Sequence, residues 1–317
     1  MPAALATVYL VWGSTYLAIR VLVETIPPLM GAGSRFLLAG GIVYAFLWLR
    51  GGRRRVRVRP RELLGAGLIG TLLLLGGNGL VTVAEQEAPS GLTALIIAAV
   101  PLWVILLRLV SHERVPAATL VSVAIGFVGV ALLVVPGDRP DGAALWSVLV
   151  LLFASLSWAI GSFISGSLPL PDDVFVATAL EMLLGGAALL AAGVFSGEAS
   201  ELDLASYSGR SIVAFVYLVV AGSLLAFTAY VWLLKSAPIS TVATYAFVNP
   251  VVAVILGWAV LAEELTGFML AGAAVIVCSV AFVVRRESGR PMKGAGRVRV
   301  TEAGSKVPGR AADEPAL

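Results

Sequence analysis

The sequence has few charged residues. They make up 13% of the 317 positions, whereas apolar types make up 59%. Soluble domains carry roughly a quarter charged residues, so this chain lacks the polar surface that a water-soluble protein needs. It also has only one histidine, His112, and one cysteine, Cys278. A histidine metal cluster and an intrachain disulfide are therefore excluded, and we predict neither a metal nor a cofactor.

Familiar catalytic and nucleotide-binding motifs are missing as well. There is no G-x-x-x-x-G-K-[ST] loop, which excludes an ATP-driven pump within this chain, and neither G-x-S-x-G nor H-E-x-x-H is present. We therefore do not predict an enzyme. If the protein moves a solute, the energy must come from an ion gradient, from the solute's own gradient or from exchange.

The sequence instead contains long apolar runs, each close to the roughly 20 helical residues that cross a bilayer core. The predicted membrane spans are residues 3–22, 29–49, 63–84, 90–110, 116–135, 144–166, 174–195, 210–233, 239–260 and 266–284. They predict an all-α polytopic membrane protein with ten transmembrane helices. The first run begins without a basic leader or a small-residue cleavage site, so we interpret it as a retained helix.

Basic residues are concentrated in one connection and in the tail. Seven arginines lie between Arg50 and Arg61, after the second span. By the positive-inside rule this connection faces the cytoplasm, so both termini are predicted to be cytoplasmic. Residues 285–317 are polar and rich in Gly, Pro, Lys and Arg, and they are predicted to form a disordered basic tail. Because topology accounts for the arginine run, no nucleic-acid partner is predicted.

The two halves of the sequence resemble each other. W-G-S-T-Y from Trp12 aligns with W-A-I-G-S from Trp158, and Pro101 aligns with Pro250. Each half has five spans, an odd number, so the second half must enter the membrane from the opposite side. We therefore predict two inverted five-helix repeats, residues 1–136 and 137–284. Such repeats are typical of secondary transporters, with substrate sites near the midplane.

Arg35 and Glu181 occupy the same position in the two repeats, with opposite charge. A charged side chain at this depth costs about 2.5–3.5 kcal/mol or more if it faces lipid, and less beside a water-filled cavity. Our hypothesis is that both line a central pathway, where Arg35 attracts a carboxylate and Glu181 attracts an amine or carries a proton. The alternative is a pair of buried structural charges that only fix helix packing.

Other spans carry polar and aromatic stripes. Tyr245 and Asn249 are four residues apart and share a face of the ninth span. The predicted binding residues are Arg35, Glu181, Trp12, Tyr16, Asn78, Trp158, Ser162, Tyr245 and Asn249. Pro101 and Pro250 each free a backbone carbonyl and are predicted hinges. The alternative for each polar residue is interhelical hydrogen bonding.

The fifth and tenth spans carry almost nothing polar. They are predicted to be peripheral, against lipid or a second protomer in a homodimer, with Gly126 and Gly129 allowing close approach.

Four stretches resemble a known family: W-G-S-T-Y-L-A-I-R at Trp12, P-P-L-M-G-A-G-S-R-F-L-L-A-G at Pro27, G-N-G-L-V-T-V-A-E-Q at Gly77 and Y-A-F-V-N-P-V-V-A-V at Tyr245. They are similar to the EamA-type branch of the drug/metabolite transporter superfamily, especially its YedA-like permeases. The resemblance implies ten helices with both termini inside, spans 1–4 and 6–9 around a central cavity, and export of metabolites, amino acids or drugs.

These observations predict a multi-pass permease of the bacterial inner membrane. It would be a secondary active transporter that exports a small molecule by alternating access, with a proton or a second substrate molecule as the exchanged species. The alternatives are a passive channel or facilitator and a receptor subunit that binds a ligand without transport.

Overall fold

The computed structural model describes residues 1–134, 144–236, 242 and 244–287. Within them ten long helices follow one another, as predicted. Their bounds are α1 Pro2–Leu22, α2 Pro28–Arg55, α3 Pro60–Ala84, α4 Ser90–Val110, α5 Ala117–Val134, α6 Leu145–Ser165, α7 Val174–Phe195, α8 209–236, α9 Tyr245–Leu261 and α10 Gly267–Glu287. Eight are long and apolar enough to cross a membrane, and α5 and α9 are shorter apolar helices.

The main difference from the predicted spans is the end of α2. This helix continues beyond residue 49 into the basic run and is interrupted at Gly52, where φ is +65°. Because arginine is a good helix former, the helix extends beyond the apolar run. At the interruption, glycine adopts the left-handed conformation without steric cost. Residues 237–241 and 243 of the predicted ninth span lie outside the described residues. So do residues 135–143 and the predicted tail from residue 288 onward.

Two helices change their winding in the middle. α3 is π-helical over Thr71–Gly79, and α8 is π-helical over Leu218–Leu225. The two stretches occupy equivalent positions in the two halves of the sequence. π-Helical turns are rare and are frequently found at functional sites. We call them the first and second π segments.

The two proline positions differ in local structure. α4 consists of Ser90–Ile97 and Val100–Val110, and the interruption directly precedes Pro101. Pro250 instead lies inside the continuous helix α9. A proline in a helix removes a backbone donor and crowds the preceding turn, which explains the break in α4. The predicted hinge motions at both positions stay predictions.

Packing between the halves is reciprocal. α1 packs on α8 and α9, and its counterpart α6 packs on α3 and α4. α2 packs on its own counterpart α7, and α5 packs on α10. Exchanging each of these helices for its counterpart reproduces the same pairs, as a two-fold relation between the halves requires.

The α5–α10 pair modifies one prediction. A Cβ added to Gly126 would lie 2.6 Å from Ser279 Oγ, and one added to Gly129 would lie 2.9 Å from Ile276 Cγ1. The glycines therefore do allow close approach, but the helix that approaches is α10 rather than a second protomer. The other face of α5 exposes Val121, an apolar side chain suited to lipid.

Candidate functional site

Two tryptophans at equivalent repeat positions contact the two π segments. Trp12 of α1 donates its indole N–H to the carbonyl of Gly222 in the second π segment, at 3.2 Å. Trp158 of α6 lies on Gly77 of the first π segment, where an added Cβ would be only 2.7 Å from Trp158 Cε3. Glycine is needed at this close approach because any side chain would displace the indole ring. Each half therefore places a tryptophan against the π segment of the other half.

Arg35 of α2 reaches the same second π segment. Its Nε donates to Ser223 Oγ at 3.2 Å, and the residue is only 5% exposed. The guanidinium carbon also lies 4.3 Å from the centroid of the Phe36 ring, an electrostatically favourable position. A guanidinium has five N–H donors, and no carboxylate among the described residues forms a salt bridge with it. Arg35 can therefore still bind an anionic group.

Glu181 lies elsewhere. It is partly buried on α7, and its backbone packs closely on α3, where an added Cβ at Gly70 would lie 2.4 Å from the Glu181 carbonyl oxygen. Gly70 directly precedes the first π segment. Within the described chain the structure does not pair Glu181 with Arg35, so each of the two charges is associated with a different π segment.

An aromatic cluster lies beside Trp12. The Trp12 ring is centred 5.1 Å from the Tyr230 ring and 5.3 Å from the Tyr245 ring, and the two tyrosine rings are 5.8 Å apart. Tyr245 was predicted to belong to the site and Tyr230 was not. Tyr230 could not be singled out because it belongs to the cluster only through the packing of α8 on α1.

Two asparagines contribute unsatisfied acceptors. The Oδ1 atoms of Asn78 and Asn249 are buried and have no hydrogen-bond partner among the described residues. The backbone of Asn249 lies beside Gly13, the residue after Trp12, because a Cβ added to Gly13 would lie 3.2 Å from the Asn249 carbonyl oxygen. A buried amide oxygen without a partner costs free energy unless water or a ligand supplies the donor.

The remaining predicted residues are less central. Tyr16 is partly buried and packs against the largest hydrophobic core cluster. Ser162 is exposed, and its carbonyl accepts a hydrogen bond from Ser165 Oγ at 2.8 Å. The structure therefore brings together Trp12, Arg35, Tyr245 and Asn249 around α1 and the second π segment, but it does not join Ser162 to them.

Two acidic residues in connections between helices, Glu198 and Glu263, have specific contacts. We call the end of the bundle opposite Arg50–Arg61 the outer end. There the Glu198 carboxylate accepts from the backbone N–H groups of Leu29 and Met30, at 2.8 and 3.0 Å. These N–H groups begin α2 and have no partner within the helix. Burial raises the pKa of Glu198, although both backbone hydrogen bonds oppose the rise.

Glu263, just after α9, makes the corresponding contact with α4. Its two carboxylate oxygens accept from the backbone N–H groups of Ser90 and Gly91, at 2.7 and 3.0 Å. Glu198 and Glu263 belong to the second half, and the helices they cap belong to the first. Both glutamates therefore connect the halves at the outer end, where the helix dipoles favour negative charge.

Comparison with known proteins decides the family. Residues 3–135 and 145–285 each match the EamA-like transporter family. This chain belongs to the EamA-like transporter family. Two matched units also confirm the repeat of five helices, and membership identifies the protein as a membrane transporter rather than an enzyme.

The EamA chain is similar over most of its length to curated bacterial transporters. It is 41% identical to the inner membrane transporter YedA of Escherichia coli, over 88% of this chain and 89% of YedA. It is 27% identical to a probable amino-acid metabolite efflux pump of Salmonella typhimurium, over 86% of this chain and 91% of that protein. The similarity to YedA, together with the apolar helices, places this EamA transporter in the inner membrane.

A solved structure supports the fold of the EamA chain. A crystal structure covering 91% of this chain and 98% of its own chain superimposes with a TM-score of 0.62, at 19% sequence identity. At this identity the match concerns the fold alone.

Proposed function

We propose that this EamA transporter is a secondary active exporter of a small metabolite, amino acid or drug, and that it works by alternating access. The observation that carries the proposal is the reciprocal contact of the two halves, with Trp12 and Trp158 each seated on a π segment of the other half. A two-fold relation between halves supports outward-open and inward-open states of similar energy. The π segments and the residues around them form the proposed central site.

The side chains at this site favour a substrate with both a carboxylate and hydrogen-bond donors. Arg35 supplies guanidinium donors, and Asn78 and Asn249 supply acceptor oxygens, that have no partner among the residues that the structure describes. Glu181 adds a carboxylate that can attract an amine. An amino-acid-like zwitterion matches this set, and the relative described as a probable amino-acid metabolite efflux pump supports the choice.

An untargeted comparison of metabolites released by expressing and deleted cells tests this proposal. We expect at least one zwitterionic metabolite to accumulate outside cells that express the wild type and not outside cells that express Arg35→Gln. Equal release by all three strains at equal protein levels would contradict export.

Counterflow separates the exporter from the two alternatives. Vesicles preloaded with the released metabolite should take up its labelled form faster than empty vesicles. The reason is that a carrier that has bound unlabelled metabolite inside can reorient, release it outside and bind the labelled form there. A passive channel shows no such stimulation, and a receptor subunit shows binding without flux.

A further inference from the structure

Glu85 is a buried carboxyl group at the outer end. It directly follows α3, and it is fully buried, at 0% exposure. Neither of its carboxylate oxygens has a hydrogen-bond partner among the described residues. An ionised carboxylate without partners is very costly to bury, so a group in this position binds a proton instead.

The neighbouring charges do not neutralise Glu85 directly. Arg20 of α1 donates from one guanidinium nitrogen to the backbone carbonyls of Glu85 and Gln86 rather than to the Glu85 carboxylate. Among the described residues, Glu85 also interacts with two other titratable groups, Tyr16 from α1 and Glu263 from the segment after α9. Burial raises the pKa of Glu85 well above its ordinary value, the Glu263 carboxylate raises it further, and Arg20 partly opposes both.

The neighbour Glu263 is the residue that caps α4. Its carboxylate is held by the backbone N–H groups of Ser90 and Gly91, and it interacts electrostatically with Glu85. α4 adds no charge here, but the hydroxyl oxygens of Ser90 and Thr93 are buried and unpartnered among the described residues. Two carboxylates that interact in this way cannot both ionise without repulsion.

We propose that Glu85 is a proton-binding site and that its proton holds the outer end closed by allowing Glu263 to cap α4. A proton from the outer side adds to the Glu85 carboxylate and gives the neutral acid. Loss of that proton places two negative charges side by side and pushes Glu263 away from α4, which opens the outer end. The gating role rests on the proposed function, whereas proton binding does not.

A metal cation fits the site less well than a proton. The Arg20 guanidinium is adjacent and positive, and the described residues hold no group of three or more His, Cys, Asp or Glu side chains that could bind a metal ion. The test must nevertheless be able to detect sodium binding at Glu85.

Infrared spectroscopy of the protein in liposomes tests proton binding without a substrate. Over a pH series from about 5 to about 9, we expect the wild type to keep a protonated-carboxyl band to a higher pH than ordinary glutamates, which titrate at about 4.3. Glu85→Gln should remove the contribution of Glu85 to this band, and Glu263→Gln should shift the loss of that contribution to lower pH. Glu264→Gln is the matched control, since it removes an exposed charge beside Glu263, and it should leave the band unchanged. A band unchanged in Glu85→Gln, or one displaced by sodium, would overturn the proposal.

Labelling of Thr93→Cys from outside, in a Cys278→Ser background, tests the gate. Rates are normalised to the unfolded protein at each pH, which removes the effect of thiol ionisation. We expect labelling to rise about tenfold as Glu85 ionises, the factor that corresponds to one pKa unit of coupling. Adding Glu85→Gln should remove the rise. A rise that survives Glu85→Gln overturns the gating role, whereas absence of export alone would count against the proposed function and leave the infrared result standing.

Discussion

At the scale of single residues, a few polar side chains are buried in positions that cost free energy. Arg35 is the clearest case, because it is buried among apolar helices with one hydrogen bond to Ser223. A charge at the centre of a membrane helix costs about 2.5–3.5 kcal/mol or more, so such residues commonly face a pathway. We therefore expect Arg35 to matter more for transport than for folding.

Substitution of Arg35 should separate these two roles. Arg35→Lys keeps the charge but loses the planar set of donors, so we expect the export rate at low substrate to fall about tenfold or more, which corresponds to about 1.4 kcal/mol. The assay is initial export rate at matched protein levels. Arg210→Gln, which removes an exposed arginine at the outer end, is the control and should export normally. Normal export by Arg35→Lys would rule out carboxylate recognition through the guanidinium fork.

The raised pKa of Glu85 predicts how the stability of the folded protein changes with pH. Its pKa is raised in the folded protein, so the folded state binds more protons than the unfolded state above the ordinary pKa of about 4.3. The stability that comes from the neutral acid is fully present below that pH and is lost as the pH rises through the folded-state value. Thermal unfolding in detergent should therefore show a Tm that falls with rising pH in the wild type and falls less in Glu85→Gln. Parallel curves for the two proteins would mean that Glu85 is already ionised.

Sequence reasoning singled out Arg35 and passed over Glu85 for one physical reason. An arginine inside an apolar run is costly wherever the helix faces, so the sequence alone marks it. A glutamate just after a span is usually solvated, whereas Glu85 is buried and interacts with Glu263, which is far away in sequence. Tyr230 was missed for the same reason, since its position beside Trp12 depends on how α8 packs.

At the scale of helices, α2 and α7 form the most extensive described contact between the halves. A Cβ added to Gly40 of α2 would lie 2.9 Å from Met182 Cβ and 3.0 Å from the Ala179 carbonyl oxygen. Small residues let membrane helices approach closely enough for backbone contact. The same helix offers a direct comparison, because a Cβ added to Gly41 would meet nothing within 4 Å.

These adjacent glycines give a matched pair of substitutions. Gly40→Ala should destabilise the protein by about 1–3 kcal/mol, since the added methyl forces α2 and α7 apart. Gly41→Ala should be neutral or slightly stabilising, because alanine favours helix by up to about 1 kcal/mol over glycine. Thermal unfolding in detergent measures both, and equal effects would show that α2 and α7 are not packed through Gly40.

Hydropathy predicted the ten helices because the bilayer core sets their length and composition. It did not predict the π segments, because hydropathy does not report contacts between distant residues. In the structure the Gly222 carbonyl and Gly77 contact tryptophans from the other half. Nor did hydropathy predict that α2 continues to Arg55, because a helix end in water depends on local propensity rather than on burial. Features set by the membrane were therefore accessible from the sequence, whereas features set by contacts between the halves were not.

At the scale of the whole molecule, the outer end is held together by side chains of one half that cap helices of the other. Glu198 caps α2 and Glu263 caps α4, while Ser211 Oγ donates to the Val21 carbonyl at 2.8 Å. At the opposite end the Arg55–Asp173 salt bridge, at 2.9 Å, also joins the halves. Alternating access requires these two sets of contacts to break in turn.

Distances between spin labels at both ends test this account most directly. In a Cys278→Ser background, one pair of labels replaces Gln86 and Leu204 at the outer end, and a second pair replaces Arg57 and Ser167 at the inner end; all four residues are exposed. Pulsed electron–electron spin resonance in liposomes should show two distances for each pair. When the pH or the exported metabolite changes their populations, the outer distance should lengthen as the inner one shortens. Two invariant distances, or ends that open together, would contradict alternating access between the two EamA repeats.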